Sequence, residues 1–296
     1  MTTVLADTRR GHRGLFALAL AMAALTPVLA VLAVVDDRVL LGAPLWLKPL
    51  KFAVSFVAYA GTLAWLLGQL RERTMQRTGW VIVAASVVEM AIIVGQAARG
   101  VRSHFNDDSA FDNALYSVMG ATIVVLWLAT LAVTLRFLRE PGLGRVTATA
   151  VRLGLAVALL GLLEGFVMTA LDGHAVGTPD GGPGLPLLGW STTGGDLRIA
   201  HFVGMHALQG LPLLAAALTT VHGLTDDTRV RLLRIVGAGW TGLVVLLTWQ
   251  ALRAQPLLAP DATTLAAAVV LVAGTAAALA ATLVADRRDA VAVATV

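Results

Sequence analysis

Residues 79–98 read GWVIVAASVVEMAIIVGQAA, an apolar run interrupted by a single charge, Glu89, and by the polar residues Ser86 and Gln96. A helix rises about 1.5 Å per residue, so about 20 such residues cross roughly 30 Å of hydrocarbon. The pattern recurs near 14–35, 52–70, 114–138, 150–171, 199–223, 233–252 and 264–285. Together these eight segments predict an all-α, polytopic transmembrane bundle. The connections are short, so residues 1–296 are expected to form a single domain with no separate soluble part.

Composition agrees with that class. Of 296 residues, 57% are apolar and 14% charged, against about 25% charged in soluble domains; the mean hydropathy is +0.80. The basic isoelectric point, near 10.3, reflects where the cations lie rather than a nucleic-acid partner. If the segments alternate across a bilayer, Arg9, Arg10, Arg13, Arg71, Arg73, Arg77, Arg136, Arg139, Arg145, Arg152, Arg229, Arg231, Arg234, Arg287 and Arg288 share one side. The other side receives Arg38, Lys48, Lys51, Arg99, Arg102, Arg198 and Arg253. That asymmetry predicts a plasma-membrane protein with both termini cytoplasmic. The first span resembles a secretory signal in its flanks but is long for one, so it is expected to stay uncleaved. With no cysteine, disulfides, thiolate metal sites, iron–sulfur clusters and covalently attached c-type haem are excluded.

The outer connections carry most of the unusual chemistry. Residues 172–196, DGHAVGTPDGGPGLPLLGWSTTGGD, hold eight glycines and three prolines and exceed the length at which structureless loops are common. They are expected to form a lid or binding loop packed at the interface, with Trp190 as anchor. Lys48 and Lys51, beside Trp46, are expected to be interfacial anchors. His12 and His222 lie at the inner ends and are expected at the surface.

Side chains inside the apolar segments carry the functional argument. An ionised carboxylate in hydrocarbon costs several kcal/mol, so such a group faces the bundle, pairs, or binds something. Glu89 and Glu164 interrupt apolar runs, VVEMAIIVG and LLEGFVM. Counted along ideal helices, Glu89, Glu164 and His206 sit at similar depth, roughly 10 Å below the outer surface, with His201 about a turn higher. At 100° per residue, Arg198, His201, His206 and Gln209 share one face of the sixth span, and Gln96 projects with Glu89. The expectation is an outer-leaflet pocket roofed by the 172–196 loop. In it Glu89 and Glu164 are catalytic, His201, His206, His104 and His174 bind a cofactor, and Arg102, Arg198, Gln209 and Gln96 bind substrate. Imidazoles with carboxylates are ligands for several metal ions, which makes His201, His206, Glu89 and Glu164 the candidate metal ligands. A b-type haem is the alternative cofactor. Spans 3 and 5 each carry a glutamate before a histidine-bearing loop, a possible two-span repeat.

The strings WLKPLKF, QAARGVRSHFN, DGGPGLP and GWSTTGGDLRIAHFVGMHALQ resemble a bacterial, actinobacterial-type family of multi-pass membrane proteins across most of spans 2 to 6. That resemblance implies membrane placement and carries no activity. Three functions are open from the residues: a metal- or haem-dependent redox or hydrolytic enzyme acting on a small-molecule or lipidic ligand; a proton-coupled small-molecule transporter; and a non-catalytic assembly or sensory module whose polar residues join helices.

Overall fold

The computed structural model describes residues 11–70, 72–139 and 142–294. Arg9, Arg10 and Arg71, counted above among the inner arginines, lie outside the described residues, as does the side chain of Arg288. Among the described residues there are nine helices: α1 (Arg13–Val35), α2 (Leu47–Gln69), α3 (Arg73–Arg99), α4 (Ala110–Leu138), α5 (Arg145–Ala170), α6 (Leu197–Met205), α7 (Ala207–Thr220), α8 (Asp226–Leu252) and α9 (Ala262–Ala294). Two small antiparallel pairs complete them: β1 (Val39–Leu40) with β2 (Ala43–Pro44), and β3 (Ala175–Val176) with β4 (Gly195–Asp196). Seven helices are long and apolar enough to cross a membrane, and α6 with α7 makes an eighth if the bent pair is one span. Several helices begin before their apolar segments because hydropathy marks only the greasy part. α8, for example, starts where Thr225 Oγ1 accepts the Thr228 N–H at 3.2 Å, a side-chain cap placed ahead of the arginines.

The chain forms two compact units, Met1–Val133 with Asp180–Gly189, and Thr134–Pro179 with Trp190–Val296. In the first, α1 packs along α2, and α3 packs on both. His12 fastens this corner. The histidine is buried, contrary to its expected surface position. Its Nδ1 accepts the Leu15 N–H at 3.1 Å, so the ring hydrogen sits on Nε2, which donates to Gln76 O at 2.8 Å. The His12 backbone N–H donates to Ala64 O at 3.2 Å. One ring thus caps α1 and ties it to α3, and the backbone amide ties it to α2. Lys51 also departs from a plain anchor: Nζ donates to Leu188 O at 3.0 Å, holding the Asp180–Gly189 segment.

In the second unit α5 is the central element and packs against α6, α7 and α8. Its core includes Val146, Ala150, Val157, Ala200, Leu211 and Val244. The decisive contact is α5 with α6. A Cβ placed on Gly161 would lie 2.6 Å from the Gly204 carbonyl carbon, and one on Gly204 would lie 2.5 Å from Gly161 Cα. Small residues let membrane helices approach to backbone contact, and here nothing larger than hydrogen fits.

Residues 199–223 do not form one continuous helix. The helix breaks at His206 and bends by 40° between α6 and α7. Trp240 of α8 holds the bend: its Nε1 donates to Val203 O at 2.9 Å, and its ring lies where a Cβ on Gly210 would be, 2.3 Å away. The break interrupts the regular 100° progression between His201 and His206, while His206 and Gln209 stay in contact at 3.2 Å. Trp240→Phe removes both the donor and the part of the indole packed at Gly210; we expect it to cost about 1–3 kcal/mol, read as a lower thermal midpoint in detergent.

α9 packs on α8 through Thr264, Leu271, Thr275 and Asp286. Its start is set by Asp261, whose Oδ1 accepts the Thr264 N–H at 2.8 Å while Oδ2 accepts from Arg253 Nη2 at 2.6 Å. The Thr264 amide and then the guanidinium hold this carboxyl below the usual carboxylate range. A group depressed on folding contributes stability that is present above its unfolded pKa and lost as pH falls through the folded value. Hydrogen exchange at Thr264 and Leu265 is therefore expected to rise only on acidification below the ordinary aspartate range, and to be fast at neutral pH in Asp261→Ala.

The 172–196 connection is not structureless. β3 and β4 pair Ala175 with Asp196 and Val176 with Gly195, and the Leu197 N–H donates to His174 O at 3.0 Å. Gly195 passes so close to Ala251 O that a Cβ would lie 1.9 Å from it.

Candidate functional site

Glu89 belongs to the first unit, and Glu164, His201 and His206 to the second. In the first unit Glu89 is fully buried, 0% exposed, on the α3 face that also carries Ser86, Ile93 and Gln96. Thr122 of α4 donates to its Oε1 in a short hydrogen bond, while Oε2 is buried without a partner. Thr122 Oγ1 is also 2.9 Å from Met119 O. Towards the outer end of the same two helices, Gln96 Nε2 donates to Asp112 Oδ1 at 2.8 Å and to Arg102 O at 3.3 Å, and Arg99 Nη1 donates to Asp112 Oδ1 at 2.5 Å. Gln96 and Arg102 therefore build the α3–α4 turn; the Arg102 guanidinium pairs with Asp108 at 3.2 Å on the surface. Farther along α4, Tyr59 of α2 meets Thr130 at 2.7 Å. Polar side chains thus occur at several levels inside this unit.

His104 is held in the loop after α3. Its Nδ1 lies 3.2 Å from Lys48 Nζ and 3.0 Å from Ser103 Oγ, and Phe52 and Phe105 flank the ring at 5.7 and 6.1 Å between centroids. An ammonium can only donate, so within that contact the imidazole is neutral at Nδ1.

In the second unit the carboxyl is built alike from different elements. Glu164 of α5 is 5% exposed. Thr248 of α8 donates to its Oε1 at 2.6 Å, Thr248 Oγ1 lies 2.9 Å from Val244 O, and Oε2 is buried without a partner. The threonine comes from the helix following α3 in one unit and from the third helix after α5 in the other. The two sites share a chemistry and not a two-span repeat. His201 also meets α5, with Nδ1 2.8 Å from Gly161 O, in space left by Gly165. His206 sits at the helix break, its Nδ1 3.2 Å from Gln209 Oε1 and its ring stacked edge-on against Phe202 at 4.3 Å. Trp190 covers Phe202 at 5.9 Å. His174 lies at the hairpin, Nδ1 3.8 Å from Asp196 Oδ1. Arg198, expected to orient an anionic ligand, already donates to both oxygens of Asp196, from Nε at 2.9 Å and Nη2 at 2.6 Å.

This geometry answers the metal expectation. Among the described residues no group of three or more His, Asp or Glu side chains could hold a metal ion. Within the second unit His201 turns Nδ1 to the Gly161 carbonyl and Glu164 turns Oε1 to Thr248.

What the arrangement can do is hold a proton. A threonine hydroxyl has one hydrogen and here faces two acceptors, the carboxyl and its own helix carbonyl. With the carboxyl ionised, the threonine donates to it. With the carboxyl protonated, the acid donates to the threonine, which passes its own hydrogen to the carbonyl. Each state satisfies the threonine and Oε1, the two differ by a hydroxyl rotation, and Oε2 is left unpartnered in both. Among the described residues no ion pair neutralises either glutamate. Thr122 and Thr248 carry no sequence signal, since a threonine inside an apolar helix ordinarily bonds back to its own backbone. Comparison with protein-family models, with curated proteins and with solved structures gives no match.

Proposed function

We propose that this is a plasma-membrane protein of eight crossings, the sixth broken at His206, with both termini cytoplasmic, and that it works as a proton-coupled small-molecule transporter. The observation that carries this reading is the pair of buried carboxyls, each bonded to a threonine on one oxygen and unpartnered on the other. A buried carboxylate without a cation is costly; a proton that comes and goes relieves the cost in one state and restores it in the other. The inner polar pair Tyr59–Thr130 supports a path that continues past Glu89. The membrane sidedness rests on the arginine and lysine asymmetry.

The test is proton movement into proteoliposomes that enclose a pH-reporting dye, after an outward acid step with potassium and valinomycin clamping the potential. Wild-type vesicles should acidify faster than empty ones, and Glu164→Gln vesicles should not. Equal rates for wild type, Glu89→Gln and Glu164→Gln would sink transport and favour a module in which the carboxyls only join helices.

A further inference from the structure

The two carboxyl sites differ in one respect. Ser86, three residues before Glu89 on α3, is 0% exposed, and its Oγ has no hydrogen-bond partner. Helical hydroxyls elsewhere in this protein behave differently: Thr62, Thr241, Thr275 and Thr282 donate to the carbonyl four residues back at 2.7, 2.9, 2.7 and 2.8 Å. Ser86 leaves that carbonyl alone. Its oxygen and Glu89 Oε2 are therefore two buried, unsatisfied acceptors on one helix face, where residues three apart stand about 5–6 Å apart at Cβ. Thr122 Oγ1, bonded to Glu89 Oε1, adds a third oxygen from α4.

We propose that Ser86, Glu89 and Thr122 form a binding site for a sodium ion. Hard cations select oxygen ligands. The ligands offered are one carboxylate and neutral hydroxyls, and that single negative charge balances a monovalent ion. The three residues of the cluster bring one carboxylate between them, so a divalent ion would remain uncompensated. A proton on Glu89 would neutralise the carboxylate but leave the Ser86 oxygen and Oε2 without partners. A desolvated cation between them engages both. Among the described residues no such orphan hydroxyl stands beside Glu164; there the proton acts alone, whereas at Glu89 sodium and the proton exchange for one another. This deepens the transport reading by assigning the first unit a coupling ion, and it can fail by itself.

The experiment is equilibrium binding of radioactive sodium to the purified full chain in detergent, with choline chloride keeping ionic strength constant. Saturable binding is expected, displaced by unlabelled sodium and not by choline. Glu89→Gln should abolish it, and Ser86→Ala should weaken it about tenfold or more, a loss of about 1.4 kcal/mol. Ser86→Thr, which restores the hydroxyl, should recover it and so separates ligation from folding. Glu164→Gln should bind as wild type does. No saturable binding by the wild type, unchanged affinity in Ser86→Ala, or loss in Glu164→Gln would each overturn the site. Sodium binding lost while proton uptake persists sinks the ion site only; uptake lost while sodium still binds sinks the transport reading only.

Discussion

Glu164→Gln is expected to reduce proton uptake into proteoliposomes to the rate of protein-free vesicles while leaving the protein folded. Glutamine has nearly the shape of a protonated glutamate, and Thr248, 2.6 Å from Oε1, can still donate to the amide oxygen. What disappears is the exchangeable proton. Thr248→Val makes the complementary change. It keeps the carboxyl and removes its hydrogen-bond partner on α8, leaving a buried acid with both oxygens unsatisfied, at a cost of about 1–3 kcal/mol. The two variants therefore separate roles: the first should lose uptake at an unchanged thermal midpoint, the second should melt earlier. Wild-type uptake in Glu164→Gln would remove this carboxyl from any proton path.

Gly161→Val is expected to produce a large loss of stability in the second unit. With the added Cβ 2.6 Å from the Gly204 carbonyl carbon, the obstacle is backbone and cannot rotate away. α5 and α6 would have to separate, which also pulls the Gly161 carbonyl from His201 Nδ1, now 2.8 Å away. Overpacking costs about 1–3 kcal/mol where side chains can yield; here neither helix can, so about 3 kcal/mol or more is expected, seen as early unfolding and aggregation in size-exclusion chromatography. Gly120→Ala is the control. A Cβ there meets nothing within 4 Å, so the substitution should leave the midpoint unchanged or raise it slightly through helix propensity. If Gly161→Val melts with the wild type, the close approach of α5 and α6 is not what holds this unit together.

The helices were legible because hydropathy over 20 residues is a local property. Glu89 and Glu164 stood out for the same reason: a charge in an apolar run needs no neighbours to be conspicuous. Their partners did not stand out. Thr122 and Thr248 look like any helical threonine, and only the facing helix turns them towards a carboxyl. Ser86 was similarly silent. The arginines misled in the opposite direction. Arg198 reads as a free cation near a pocket, yet Asp196, two residues away, takes up its guanidinium. His12 read as a surface residue because its sequence neighbours are polar, whereas the acceptors and donors that bury it lie on α2 and α3, more than fifty residues on.

Amino-acid order by itself determined that this chain is helical, that its helices are long and apolar enough to cross a membrane, and that two carboxyls lie within them. Those properties depend only on transfer free energies summed along a short segment. Tertiary structure decided which hydroxyl meets each carboxyl, where the sixth segment breaks, and which backbone or side-chain group each histidine faces. Each of those outcomes turns on helix-to-helix distances of a few ångströms, set by glycines such as Gly161 and Gly204 whose partners are far away in the chain.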